Sequence, residues 1–289
     1  MPDDANDDAN DGADHDGDAN YDDAKHDGCH DGRSDVRPIE GMSVLITGGG
    51  SGIGEGIARH FGGAGAAVTI SGRRADKVEA VAASIGPACR SVVGDVTVAN
   101  DRDAMVAAAV EHGGGRLDVL VNNAGNMYRG PLAELDEQQL LDVFHSNVVG
   151  GIMLTQRALD ELVAASGAVI FIGSVHSQRA FPGAAPYAAT KGAVETLTGV
   201  LAAELGPLGV RVSCIRPGGV FTELNQRAGL FDDDTARERL EGLAPAHALG
   251  RLGTVDEIAE GVEYLARAEW ATGNVLTVDG GLGLGVTNA

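Results

Sequence analysis

From about Gly41 onward, short apolar runs alternate with longer stretches in which apolar residues recur every three or four positions. Val44–Ile46, Val68–Ile70, Ser91–Val93, Leu117–Val121, Ala168–Ile172, Val210–Ile215 and Val275–Val278 read as strands. Ile53, Ile57, Ala58 and Phe61 share one side of a first helix. Helical spacing also covers Lys77–Ile85, 99–111, a long stretch 137–165, about 184–205 and about 255–267. The strands are apolar throughout rather than alternating, which indicates a parallel sheet covered on both faces. Seven β/α steps with no second domain predict a single-domain α/β fold, a doubly wound parallel seven-stranded sheet flanked by helices. Ligands of such a sheet belong at the carboxyl ends of its strands. The Gly/Pro-punctuated segment about 217–250 is long for a plain connection and reads as a substrate loop.

Residues 1–40 do not share this pattern. They contain the near-repeat DDANDDAN and carry 14 acidic against 3 basic side chains. So few apolar groups cannot offset ordering entropy, and an acidic disordered tail ahead of a domain at 41–289 is expected. The whole chain has a net charge of −21, of which −10 falls on the domain. That acidity argues against nucleic-acid or anionic membrane partners. No apolar run approaches the ~18–20 residues of a membrane span, and the acidic N-terminus lacks the basic and apolar regions of a secretory signal. Cys29, Cys89 and Cys214 are scattered without a C-x-x-C pair, so a reducing, cytoplasmic compartment without disulfides is expected. His15, His26, Cys29 and His30 lie at irregular spacing, and no metal site is expected.

Candidate chemistry begins at Thr47-Gly-Gly-Gly-Ser-Gly-Ile-Gly54, between the first strand and the first helix. Gly48, Gly52 and Gly54, with Ser51 and Ile53 between them, suit a tight turn that brings backbone N–H groups to a dinucleotide pyrophosphate. The second strand ends at Ser71-Gly-Arg73-Arg74, where a carboxylate would select a 2′-hydroxyl. Two guanidiniums suit a 2′-phosphate instead, which favours NADP(H), with NAD(H) possible. Asp95-Val96 is placed at the end of the third strand, where the carboxylate can meet the adenine amino group. Asn122-Asn123-Ala124-Gly125 ends the fourth, along the path from adenosine to nicotinamide.

Tyr187 and Lys191 are four residues apart, on one face of a helix, and Ser174 lies thirteen residues before Tyr187. A cation beside a phenol lowers its pKa from ~10 toward neutrality, so that it can exchange a proton with a substrate oxygen.

Taken together, Thr47–Gly54, Asp95, Asn122–Gly125, Asn147, Ser174, Tyr187–Lys191, Pro217-Gly218 with Thr222, and Asp279-Gly-Gly281 resemble the short-chain dehydrogenase/reductase family over about residues 41–285. Gly250–Gly253, Asp256-Glu-Ile and Val278–Gly281 are similar to the subgroup of 3-oxoacyl carrier-protein reductases, glucose dehydrogenases and carbonyl reductases. The resemblance implies a Rossmann-type fold and interconversion of a ketone and a secondary alcohol on a small-molecule substrate. It implies that Tyr187 is the general acid/base and that Lys191 lowers its pKa and holds the nicotinamide ribose. Ser174 would bind the substrate oxygen, and Asn147 would support a water relay through Lys191. Pro217, Gly218, Val220 and Thr222 would line the nicotinamide. Relatives are usually homotetramers built through the 137–165 and 184–205 helices and the C-terminal strand. One departure is Ser51, where several NADP-dependent relatives carry a basic residue.

Ser177 rivals Ser174, but only Ser174 has the family's spacing to Tyr187; His145 is a second apparent base that Tyr187 makes unnecessary. His176, Gln178 and Tyr128 are candidate pocket residues, and 126–130, 175–183 and 222–250 are expected to choose the substrate. Phe221, Leu224, Leu230 and Phe231 favour an apolar or mixed substrate, and Asp232–Asp234 disfavours an anionic one. Arg129, Arg179 and Arg227 are the local cations that a carrier-protein substrate would want. Two alternatives remain: an NAD-dependent alcohol or sugar dehydrogenase on the same fold, and a non-catalytic nucleotide-binding scaffold.

Overall fold

The structure, a computed structural model, describes residues 36–224, 235, 238 and 240–285. The acidic segment 1–35, its metal-ligand candidates, and Arg227, Leu230, Phe231 and Asp232–Asp234 of the substrate loop lie outside the described residues.

The strands are β1 (Ser43–Thr47), β2 (Ala67–Gly72), β3 (Cys89–Val93), β4 (Val119–Asn122), β5 (Ala168–Ile172), β6 (Arg211–Pro217) and β7 (Val275–Val278). All pairings are parallel, in the order β3-β2-β1-β4-β5-β6-β7. This is the Rossmann-type sheet expected from the apolar runs. Chain order reverses between β1 and β4, which opens a crevice at their carboxyl ends.

The helices are α1 (Gly52–Gly63), α2 (Ala75–Ile85), α3 (Ala99–His112), α4 (Glu137–Phe144), α5 (Gly150–Arg157), α6 (Leu159–Ala164), α7 (Ala185–Leu205) and α8 (Val255–Arg267). Alternate strand residues serve opposite faces, as the period of two requires. Val44, Ile46, Val68 and Ile70 pack with Ile57, Phe61 and Val78 of α1 and α2 and with Ile258 and Val262 of α8. Leu45, Leu120 and Val169 pack with Met105 of α3, Leu154 of α5 and Val194 of α7 on the other face. The start of α8 is fixed by a reciprocal capping box between Thr254 and Glu257.

The continuous helix expected over 137–165 is interrupted. A π turn occupies His145–Val149, and the chain steps again at Ala158 between α5 and α6. Periodicity alone cannot see this break, because a π turn inserts one residue without changing the apolar content of the face. The packed chain also begins upstream of the boundary expected at 41. Ile39 is buried, and Arg37 pairs with the fully buried Asp118, which also accepts from the Ser43 amide at 2.8 Å.

Candidate active site

The turn after β1 is held by close backbone approach and by Asn123, whose Nδ2 donates to the Thr47 and Gly48 carbonyls at 2.7 and 3.2 Å. Gly48 has φ of +67°, and a Cβ there would come within 2.9 Å of Asn123 Nδ2. A Cβ on Gly54 would lie 2.4 Å from the Gly48 carbonyl oxygen, so α1 can start here only with glycine. Thr47 sits behind this turn rather than on the cleft. It is buried, and its Oγ1 accepts from the amides of Asn123 at 3.0 Å and Ala124 at 2.9 Å, joining β1 to the end of β4. Thr47 and Gly54 therefore shape the expected cofactor turn from behind.

Two adjoining cavities meet over Gly48 and Ser51. One is lined by Gly52, Ile53, Asn123–Gly125, Ser174, Tyr187, Lys191, Pro217, Gly218, Val220 and Thr222. The other is lined by Ser71, Arg73, Arg74, Asp95, Val96 and His145. Together they run along the carboxyl ends of the strands, as a dinucleotide requires. The lining fits such a group. Ser71 Oγ faces no hydrogen-bond partner although its residue is 1% exposed. At the same end, Arg73, Arg74 and Lys77 supply three cations.

Asp95 is not at the strand end. β3 finishes at Val93, and Asp95 sits in the following turn, where its Oδ1 accepts from the amide and the hydroxyl of Thr97, both at 2.9 Å. Its other oxygen is 3.6 Å from Arg73. Arg74 donates to Ser51 Oγ at 3.1 Å and pairs with Glu223 at 2.9 Å, and Lys77 reaches the same carboxylate at 3.3 Å.

Ser174, Tyr187 and Lys191 converge on the first cavity. Tyr187 and Lys191 project from the first two turns of α7, and Ser174 from the turn after β5. Tyr187 is 6% exposed. Burial pushes its phenol up to about 12, with the hydrogen bond to Ser174 pulling the other way. The lowering expected from Lys191 is therefore not what this cavity produces. Burial also brings Lys191 down to about 8, and its ammonium donates to the Ile172 carbonyl at 2.6 Å. With the ammonium turned to a backbone carbonyl, loss of solvent outweighs its pull on the phenol.

Asn147 is carried on the π turn and does not line either cavity. Its Oδ1 accepts from the Asn126 amide at 2.7 Å, and its Nδ2 donates to the Asn126 carbonyl at 2.8 Å and to Thr190 Oγ1 at 3.1 Å. The side chain thus ties the loop after β4 to α7, one residue before Lys191.

His176 lines the cavity, stacked on Phe181 at 4.3 Å between centroids and edge-on to Tyr187 at 5.1 Å. Its Nδ1 is 3.1 Å from Ser174 Oγ. Burial first, then Arg129 and Lys191, bring it down to about 4, so it is neutral near pH 7. Gln178 and Tyr128 stand away from the cavity lining. Gln178 accepts from Arg216, and the Tyr128 hydroxyl accepts from the Asp136 amide. Ser177 is occupied by Glu195, and Arg179 donates to the Leu282 carbonyl, whereas Arg129 and Leu224 line the cavity. Thr190 and Glu195 lie outside the candidate residues read from sequence, and Asn126 and Glu223 enter there only as members of the segments 126–130 and 222–250. Thr190 and Glu195 share the Tyr187/Lys191 face of α7, a signal that was available, whereas Glu223 is brought in only by tertiary folding.

Residues 42–232 match the family model described as short chain dehydrogenase. L-fucose dehydrogenase of Bos taurus is 39% identical over 85% of this chain and 90% of its own length. Gluconate 5-dehydrogenase of Gluconobacter oxydans is 34% identical over 86% and 97%. The crystal structure of 3-ketoacyl-(acyl-carrier-protein) reductase from Brucella melitensis, complexed with NADH, is 32% identical, covers 85% of this chain and 99% of its own, and superposes with a TM-score of 0.77. Among the described residues, no helix is long and apolar enough to cross a membrane. Glycine turn, parallel sheet, cleft and relatives agree: the chain belongs to the short-chain dehydrogenase/reductase family and is an NAD(P)-dependent oxidoreductase of alcohol and carbonyl groups.

Proposed function

We propose that this enzyme interconverts a ketone and a secondary alcohol with preference for NADP(H), using Tyr187 as general acid/base. The observation that carries the catalytic reading is the convergence of Ser174, Tyr187 and Lys191 on the cavity that adjoins the Gly48–Gly54 turn. A bound nicotinamide supplies or accepts the hydride; the chain's task is to orient the substrate and move a proton. Kept neutral by burial, the Tyr187 phenol is in the form that donates its proton to the carbonyl oxygen during reduction. Ser174 donates a hydrogen bond to the same oxygen as negative charge develops there. Neutral His176 and the Asn147–Thr190 contact hold Ser174 and α7 in place. In oxidation the phenolate accepts the alcohol proton, and Lys191 stabilises that phenolate from 5.5 Å, measured to the ring centroid.

NADP(H) preference rests on Arg73, Arg74 and Lys77 around the second cavity, where no carboxylate follows Gly72 directly. The substrate cavity is walled by Met127, Phe181, Leu224, Leu240, Leu243 and Leu282, with Arg129 also in the lining, which favours an apolar or mixed carbonyl compound. Exposed Leu141, Val149 and Val200 on α4, the π turn and α7, together with β7 at the sheet edge, support assembly as a homotetramer. The test is a panel of ketones and alcohols run with each cofactor on wild type and Arg73→Ala/Arg74→Ala. Wild type should turn over faster with NADP(H), and the variant should lose at least about tenfold of that preference, the worth of a strong charge-assisted contact. A wild type that prefers NAD(H) reverses the cofactor reading.

A further inference from the structure

We propose that Glu223 sets cofactor selectivity by competing with a 2′-phosphate for Arg74 and Lys77. This rests on the reading that these cations face the adenosine ribose. Glu223 comes from the segment after β6, far in sequence from the second strand. One of its carboxylate oxygens lies 2.9 Å from Arg74 Nη2, and the other lies 3.3 Å from Lys77 Nζ. The preceding residue, Thr222, seals against the glycine turn: a Cβ on Gly52 would stand 3.1 Å from Thr222 Cβ. Thr222 lines the first cavity and Arg74 and Lys77 line the second, so Glu223 spans from one lining to the other through its ion pairs.

The third cation is also matched, since Arg73 stands 3.6 Å from Asp95. Cations that would recognise a phosphate are thus held by the protein's own carboxylates. Glu223 retains about a third of its side-chain exposure, 34%, so each of its ion pairs is weak and open to exchange. A phosphate carries more charge and more acceptor oxygens than a carboxylate, so it displaces Glu223 at a cost that NAD(H) never meets. Glu223 narrows a preference for NADP(H) that the arginines alone would make larger. A carboxylate that instead accepted the ribose 2′-hydroxyl would act by strengthening NAD(H) binding.

The experiment measures equilibrium Kd values of NADP+ and NAD+ by isothermal titration calorimetry on full-length wild type, Glu223→Gln, Arg74→Ala/Lys77→Ala, and the triple variant. Glutamine keeps the size and an acceptor while removing the charge. Glu223→Gln should bind NADP+ about fivefold more tightly, equivalent to about 1 kcal/mol, while NAD+ changes by less than about twofold. The Arg74/Lys77 double variant should weaken NADP+, and in its background Glu223→Gln should have no further effect. Weaker NAD+ with unchanged NADP+ would make Glu223 a ribose ligand and overturn the proposal. So would an unchanged NADP+ Kd in Glu223→Gln while the double variant still weakens it, a result that leaves the phosphate site standing. If the double variant moves neither cofactor, the NADP(H) reading fails and takes the proposal with it.

Discussion

Lys191 lies 5.5 Å from the centroid of the Tyr187 ring, yet its ammonium is spent on the Ile172 carbonyl at 2.6 Å. The two residues share a cavity without a direct polar contact. Each is shifted away from its charged form by the same burial, the phenol to about 12 and the ammonium to about 8. Their relationship is that of two desolvated groups held ready beside the glycine turn, rather than a preformed ion pair.

Tyr187→Phe removes the proton donor and keeps the ring that His176 packs against edge-on. Turnover should fall by about 10²–10⁴-fold, the usual worth of a positioned general acid. Cofactor Kd should change far less, since the glycine turn and the cations are untouched. Steady-state rates and calorimetric titration of the same preparation check both halves. Residual activity near wild type would remove Tyr187 from the mechanism.

Lys191 makes a pH-dependent contribution to stability. Its folded value, about 8, lies below the ordinary lysine value of 10.5, so between them the unfolded chain binds more protons than the folded one. Stability from this group therefore rises with pH through 8 to 10.5, and is lost as pH falls through 8. Cys89, raised to about 11, and Cys214, raised to about 12, both by burial, act in the opposite sense above pH 9. Comparison with Lys191→Met isolates the lysine. Urea unfolding from pH 7.5 to 10.5 should show wild type gaining up to about 3 kcal/mol relative to the variant. A constant difference across that range would mean that the ammonium is not desolvated.

Strand positions were legible because burial on both faces leaves an unbroken apolar run, as in Val44–Ile46, and the Gly48–Gly54 turn because backbone must approach backbone there. The convergence of Ser174 and Tyr187 was legible from spacing and resemblance. What stayed hidden depends on long-range contact. The His145–Val149 π turn carries Asn147 to its partners Asn126 and Thr190 and leaves no periodic trace. The Lys191–Tyr187 pattern suggested a lowered phenol, but side-chain spacing carries no information on desolvation, which dominates here. Glu223 meets Arg74 across 149 positions, beyond any local pattern.

Gly54→Ala tests the turn directly. The added methyl would stand 2.4 Å from the Gly48 carbonyl oxygen and 2.5 Å from Asn123 Nδ2, and the carbonyl belongs to backbone that has no rotamer to yield. The turn must open, at a cost of about 1–3 kcal/mol in stability. Because the displaced backbone borders both cavities, dinucleotide Kd should weaken at least about tenfold, well beyond the effect of a remote destabilising change. Gly63→Ala, on the same helix with nothing within 4 Å of its Cβ position, is the control and should leave both quantities near wild type.

Glu195 supports the site from behind. It lies two turns along α7 from Tyr187 and accepts from Ser177 Oγ, from Arg216 Nε at 2.8 Å and from Arg216 Nη2 at 2.6 Å. Arg216 in turn donates to Gln178 and to Thr277, so this one carboxylate joins α7, the Ser174–Gln178 turn, β6 and β7. Both partners are largely buried, with side-chain exposures of 13% and 16%. Removing one leaves the other charge without compensation, which costs more than the pair contributes as a whole. Glu195→Ala should lose about 2–4 kcal/mol in urea unfolding, and Glu195→Gln less, since an amide still accepts from Ser177 and Arg216. Glu195→Ala/Arg216→Ala should lose less than the sum of the single variants, because the second truncation removes the stranded charge. Strictly additive losses would mean that the two side chains act independently and that the turn carrying Ser174 is held by other contacts.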